Sequence, residues 1–183
     1  MMPLSTLPSL ATRPATGEYL PYYQKYIDRV PEGDLLAGLE AQLETTIALL
    51  DRFGESGGGV RYAPDKWSVK EVVGHLADAE RVFAYRALCA ARGETASLPA
   101  FDENAYVVEG GFDARTLNSL MGELSAVRRA TVSLFRNLDE SRLARQVTAN
   151  NAPVSVRALG WIIAGHELHH AILLRERYLP LVG

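Results

Sequence analysis

Cysteine, histidine and clustered positive charge are all scarce in this chain of 183 residues, and each scarcity narrows what it can be. A single cysteine, Cys89, excludes an internal disulfide and suits a reducing compartment. The basic residues form no stripe and the formal net charge is −3. That argues against a nucleic-acid partner, because neutralising phosphates needs clustered positive charge. No apolar run approaches the ~18 residues that cross a bilayer. The N-terminus, interrupted by Pro3, Pro8 and Pro14, lacks both the basic and the continuous apolar region of a secretory leader. The expectation is a cytoplasmic protein that engages neither nucleic acid nor membrane. Convincing period-two alternation is also missing, so no sheet is expected. Gly57-Gly58-Gly59 lacks the closing lysine and the preceding strand of a phosphate loop.

What the chain does have is helical periodicity. Residues 1–17 are rich in proline, threonine and serine and read as an N-terminal arm, flexible or wrapped across the domain that residues 18–183 form. The aromatic segment Tyr19–Tyr26 reads as a lead-in turn or short helix. A first long helix is expected from the cap Asp34 to Phe53, with Leu36, Leu39, Leu43, Ile47 and Leu50 at three- and four-residue spacing. Ser68-Val69-Lys70-Glu71 is a capping box that starts a second helix, running to about Arg92, with Trp67 and Val72 placed to close a hydrophobic staple. A third is expected to begin near Asp113 and carries the seam Leu117, Leu120, Leu124, Val127, Thr131, Leu134, Leu138. A fourth, capped by Ser155, runs to about Tyr178. The fold class is therefore all-α, a four-helix bundle.

Three of the four histidines fall in His166-Glu167-Leu168-His169-His170. Positions i and i+4 share a helix face, so His166 and His170 can direct two imidazoles at one ion. Both sit in seam positions whose neighbouring turns supply Leu159, Ile163 and Leu173, and His75 holds a comparable inward position on the second helix. One buried histidine is most simply a satisfied core residue. Three inward histidines on two helices, with an i, i+4 pair among them, point instead to a divalent metal held by His75, His166 and His170. His169, about 100° further round, could replace His170 as a ligand, hydrogen-bond nearby or pack structurally, and the latter two suit its flank better. The letters also match the zincin motif H-E-x-x-H, but only thirteen residues follow His170 and they hold no histidine, so the protease reading fails. Glu167 and Asp78 read as solvated helix-face carboxylates, Glu80 and Asp102 as residues with some chance of reaching the site, and Cys89 as a small filler.

The stretch from Trp67 to Asp78, around His75, resembles the segment bearing the first metal-binding histidine of the DinB-like four-helix superfamily. His166 and His170 match that family's H-x-x-x-H pair, and Phe101–Tyr106 is similar to a stretch in the branch of bacillithiol S-transferase and its metal-dependent hydrolase relatives. The resemblance covers about residues 20–178. It implies a bundle with one long crossover connection, here 93–112, and a divalent ion on His75, His166 and His170 with open positions for water or substrate. It also implies a homodimer and a small-molecule substrate. An incomplete imidazole shell is that of a catalytic site, suits zinc or nickel, and can activate a thiol or a water. The expected activity is transfer of a low-molecular-weight thiol such as bacillithiol to small electrophiles. The alternatives are a metal-dependent hydrolase and a non-catalytic dimeric metal-binding module of the stress response.

Overall fold

The computed structural model describes residues 10–182. Its helices are α1 (Gln24–Ile27), α2 (Leu35–Asp51), α3 (Gly54–Gly57), α4 (Val69–Ala91), α5 (Glu103–Gly110), α6 (Leu117–Arg136), α7 (Glu140–Leu143) and α8 (Val156–Leu173). The four long ones, α2, α4, α6 and α8, form the bundle. Each starts on a side-chain cap that satisfies otherwise orphaned backbone donors. Asp34 accepts from the Leu36 amide at 2.9 Å, Ser68 from Glu71 at 3.0 Å, Thr116 from Ser119 at 3.1 Å, and Ser155 from Ala158 at 2.9 Å. Glu71 returns the bond to the Ser68 amide at 2.7 Å, completing the box.

Packing departs from a simple up-and-down bundle. α4 lies against α6 and α8, and α2 lies against the same two, so the consecutive helices α2 and α4 stand on opposite corners. The crossover between α4 and α6 contains α5, whose cap Asp102 accepts from the amides of Asn104 and Ala105, both at 3.1 Å. α8 is buried on every side from Val156 to Glu167, as a helix enclosed by its neighbours must be.

Apolar residues form two clusters, one around Leu39, Phe83, Phe135 and Trp161, the other around Leu50, Val73, Leu124 and Leu174. Between them every bundle helix contributes hydrogen-bonded polar side chains: Gln42 from α2, His75 and Glu80 from α4, Arg128 from α6, His166 and Glu167 from α8. A polar layer therefore divides the core, and the candidate site lies in it.

Several expectations need correction. Gln146–Ala149 and Ala152–Ser155 are strands, β1 and β2, paired antiparallel with Val147 opposite Val154. The turn places Asn150 and Asn151 at φ 52° and 61°, the left-handed conformation of a two-residue hairpin that asparagine tolerates. Four-residue strands are too short for alternation to stand out, and Asn150-Asn151 was the available signal. The third long helix starts at Leu117, because Phe112–Ala114 makes a separate 3₁₀ turn and Arg115 is extended. Asp113 instead accepts from Ser68 Oγ at 2.5 Å and from Arg61 at 2.6 Å. The last helix is α-helical only to Leu173 and continues as a π turn over Leu174–Tyr178. Of the expected arm, residues 1–9 lie outside the described residues. From residue 10 onward the chain packs on the bundle: Leu10 is buried and its carbonyl accepts from the Trp161 indole at 2.9 Å.

Candidate metal centre

The adjacency of α4 and α8 brings His75 against His166 and His170. The ring centroids form a nearly equilateral triangle, with sides of 4.9 Å (His75–His166), 5.0 Å (His75–His170) and 4.7 Å (His166–His170). One ring nitrogen from each lies within 4.8 Å of the other two. His75 Nε2 and His166 Nε2 are 3.1 Å apart. Two nitrogens at about 2.1 Å from one ion stand roughly 3.0–3.4 Å apart for angles between square and tetrahedral, so this pair fits a shared ion.

The protonation states agree with that use. Burial pushes the His75 imidazole down to about 4. His166 and His170 are held well below the ordinary histidine range, by burial first and by neighbouring imidazoles second. All three are neutral near pH 7 and offer lone pairs, the form a metal requires. Without a cation, two neutral Nε2 atoms must share one proton between them, whereas a cation satisfies both lone pairs. His75 Nδ1 is buried with no hydrogen-bond partner among the described residues. Packing orients the ring instead: Trp67 lies 4.6 Å away, and Phe101 stacks within 5° of parallel at 6.4 Å.

The cluster opens into a cavity of about 600 Å³ whose lining includes Tyr22, Tyr23, Tyr26, Phe83 and Arg86. Sequence reasoning placed the tyrosines in a lead-in segment and Trp67 in a staple, with no role at the site. What brings the tyrosines in is Gly165: a Cβ there would stand 2.1 Å from the Tyr26 carbonyl oxygen, so only glycine lets α1 press onto α8. Tyr26 then packs edge-on against His166 and His169, both at 5.4 Å. The crossover supplies Phe101 and Glu103, and the hairpin tip supplies Asn150, pinned by the Leu98 amide donating to the Thr148 carbonyl at 2.9 Å. His169 is half-buried on the cavity wall, outside the triangle.

Beneath the triangle lies a charged network that the seam pattern did not reveal. Arg128, 1 % exposed, donates from Nε and Nη2 to Glu80 at 2.9 and 2.8 Å, from Nη2 to Glu167 at 2.6 Å, and from Nη1 to the Leu39 carbonyl at 2.8 Å. Gln42 donates to the same Glu167 oxygen. Burial alone would lower the guanidinium's affinity for its proton, but the attraction of Glu167 and Glu80 outweighs it and holds the group above its ordinary value. Glu167 is thus 2 % exposed and anchored through Oε2, contrary to the solvated-face expectation, and it is not among the residues that line the cavity, where a zincin-type base would have to stand. Glu80 belongs to the same network, and Asp102 serves as the α5 cap, not at the cavity. Two carboxylates against one guanidinium leave an excess negative charge beside His166, which complements a cation there.

A bundle with diagonal consecutive helices thus carries three imidazoles that converge under a cavity, a donor set that could hold one divalent ion. Residues 38–174 match the sequence profile of the DinB superfamily, and the chain belongs to that family. It is 25% identical over 150 residues, 78% of this chain and 86% of the other, to the "Putative metal-dependent hydrolase OB0413" of Oceanobacillus iheyensis. Its fold is similar to that of YfiT from Bacillus subtilis, described as "a probable metal-dependent hydrolase with an unusual four-helix bundle topology" (TM-score 0.69, 18% identity, 96% of this chain and 97% of that one). It is also similar to the mycothiol-dependent maleylpyruvate isomerase (TM-score 0.65, 13% identity), covering 80% of this chain and 61% of that one.

Proposed function

We propose that His75, His166 and His170 bind a divalent ion, zinc or nickel, and that the protein joins a low-molecular-weight thiol to small electrophiles there. The observation that carries this is the convergence of three neutral imidazoles at the floor of an aromatic-walled cavity of about 600 Å³, large enough for two small reactants. An ion held by that donor set would supply Lewis acidity that keeps a thiol or a water deprotonated near neutral pH. The chain's own residues do the rest. Trp67 and Phe101 keep His75 in line, the Arg128 network holds α8 in register, and Tyr22, Tyr23 and Tyr26 exclude water and offer hydroxyls to a bound substrate. Support for a thiol comes from the mycothiol-dependent neighbour of the same fold. Bacillithiol or a related thiol would be the cosubstrate, and a homodimer in the cytoplasm the working form.

Hydrolysis is the second reading, favoured by the descriptions attached to the Oceanobacillus protein and to YfiT. Against a zincin-type version stands the anchoring of Glu167, which leaves Glu103 as the carboxylate lining the cavity. A thiol screen separates the readings. Metal-loaded protein is incubated with a chlorobimane electrophile and bacillithiol, mycothiol, glutathione or no thiol. Conjugate formation that depends on one thiol supports transfer. Electrophile consumption without thiol supports hydrolysis, and no turnover on any substrate supports the binding module.

A further inference from the structure

Among the described residues three arginines are buried, and two of them have carboxylate partners. Arg128 pairs with Glu80 and Glu167, and Arg157 with Glu18. The third, Arg86, is 5 % exposed, and none of the ion pairs among the described residues includes it. Residues 1–9 contain no aspartate or glutamate that could serve. Its recorded hydrogen bond runs from Nη2 to the Pro99 carbonyl at 2.8 Å. The Tyr23 hydroxyl also lies against the guanidinium, but these two neutral partners leave several of its five donors unused, and a buried cation without a counter-charge is costly unless something else supplies one.

Arg86 also faces the site. It lies eleven residues after His75 on α4, which returns it to within about 20° of the same helix face. Side chains on a helix lean toward its N-terminus, so the guanidinium swings back toward the imidazoles. It stands 5.9 Å from the Phe83 ring, and that ring lies 6.0 Å from His166, so a single phenyl separates the cation from the triangle. Both line the same cavity, together with Lys25 and a single carboxylate, Glu103, which is beyond ion-pair distance of Arg86. The ionisable side chains that line the cavity thus sum to one positive charge, set against the negative excess of the Arg128 network beneath His166, so the end of the cavity that attracts anions is the one Arg86 occupies.

We propose that Arg86 is the carboxylate-binding residue of this cavity: one reactant carries a carboxylate, several bonds from its reacting atom, which Arg86 receives while that atom meets the metal. A planar guanidinium with free donors matches a carboxylate in two parallel bonds, which a lysine or an amide cannot reproduce. The inference rests on the metal-centre reading above, and its test separates the two.

Two arms test it. In the first, cobalt-loaded protein is titrated with ω-mercapto acids from propionate to octanoate, each beside the mercapto alcohol of equal length, and the sulfur-to-cobalt absorption band reports binding. In the second, metal-free protein is titrated calorimetrically with glutarate and adipate beside their diamides, so Arg86 is probed even if the metal reading fails. A carboxylate preference of about tenfold or more is expected in the wild type, lost in Arg86→Gln and partly kept in Arg86→Lys. A preference confined to the mercapto acids puts the carboxylate on the thiol, and one confined to the dicarboxylates puts it on the other reactant. Equal binding of acid and neutral partner in both arms overturns the proposal, and so does a preference that survives Arg86→Gln. A brace that merely held Pro99 would not distinguish acid from alcohol, and the wild-type comparison stands even if a variant fails to fold.

Discussion

Replacing Arg128 with methionine keeps much of the buried volume and removes the only cation from a network with two buried carboxylates. In the wild type Glu80, Glu167 and Arg128 are 4, 2 and 1 % exposed, so solvent cannot take over the lost charge. Removing one partner of a buried pair costs about 3–5 kcal/mol, most of it the penalty of the charge left behind. For a domain of this length each kcal/mol lowers Tm by about 2–4 °C, so Arg128→Met should melt about 6–20 °C below wild type at pH 7. The measurement is thermal unfolding followed by far-ultraviolet circular dichroism, with chelator present so that no metal masks the effect. Without the guanidinium two buried carboxylates are left with no counter-charge, and taking up a proton relieves the folded state of that cost more than it does the unfolded chain. The gap to wild type should therefore narrow as pH falls from 7 toward 5. A triple variant, Arg128→Met with Glu80→Gln and Glu167→Gln, should recover most of the loss. A loss under about 1 kcal/mol, or a triple variant no better than the single one, would refute the view that these charges hold one another in place.

Other outcomes follow from the same geometry. His75→Ala, His166→Ala and His170→Ala should each lose most of the bound metal by elemental analysis while His169→Ala keeps it; full occupancy in all three would sink the triad. Gly165→Ala, whose Cβ would sit 2.1 Å from the Tyr26 carbonyl oxygen, should destabilise by about 1–3 kcal/mol and weaken metal binding by shifting α1. Gly38→Ala, with open space around its Cβ in α2, should instead stabilise by about 1 kcal/mol in the same melts. The metal-free protein should lose stability as pH falls below about 6.5, because the unfolded histidines take up protons that the folded ones refuse. His75 alone, lowered from 6.5 to about 4, accounts for roughly 3 kcal/mol of that loss by pH 4, and a flat urea-midpoint profile over this range would contradict it.

The bundle helices were legible because their information is local. Apolar residues recur every three or four positions, and Asp34, Ser68 and Ser155 stand where caps belong, so each segment announces its own start and its buried face. The histidines were legible for a related reason, since an imidazole in a leucine seam breaks the pattern. Arg128 was not. It lies one residue past the seam position Val127, where an arginine ordinarily reaches solvent, and only the approach of Glu80 and Glu167 from two other helices keeps it inside. The hairpin was missed because strands of four residues give alternation too little length.

From the sequence alone, the chain's periodicity and caps determined four helices, and its placement of histidines determined which faces could meet a metal. Tertiary structure decided that α4 and α8 are neighbours while α2 and α4 are not, so that His75 closes on His166 and His170. It also withdrew Glu167 from the cavity and placed Trp67, three tyrosines and Arg86 around it. The physical reason is range. Helical periodicity and capping act over a turn or two of one segment, whereas the partners of a buried charge or the walls of a cavity come from residues tens of positions apart.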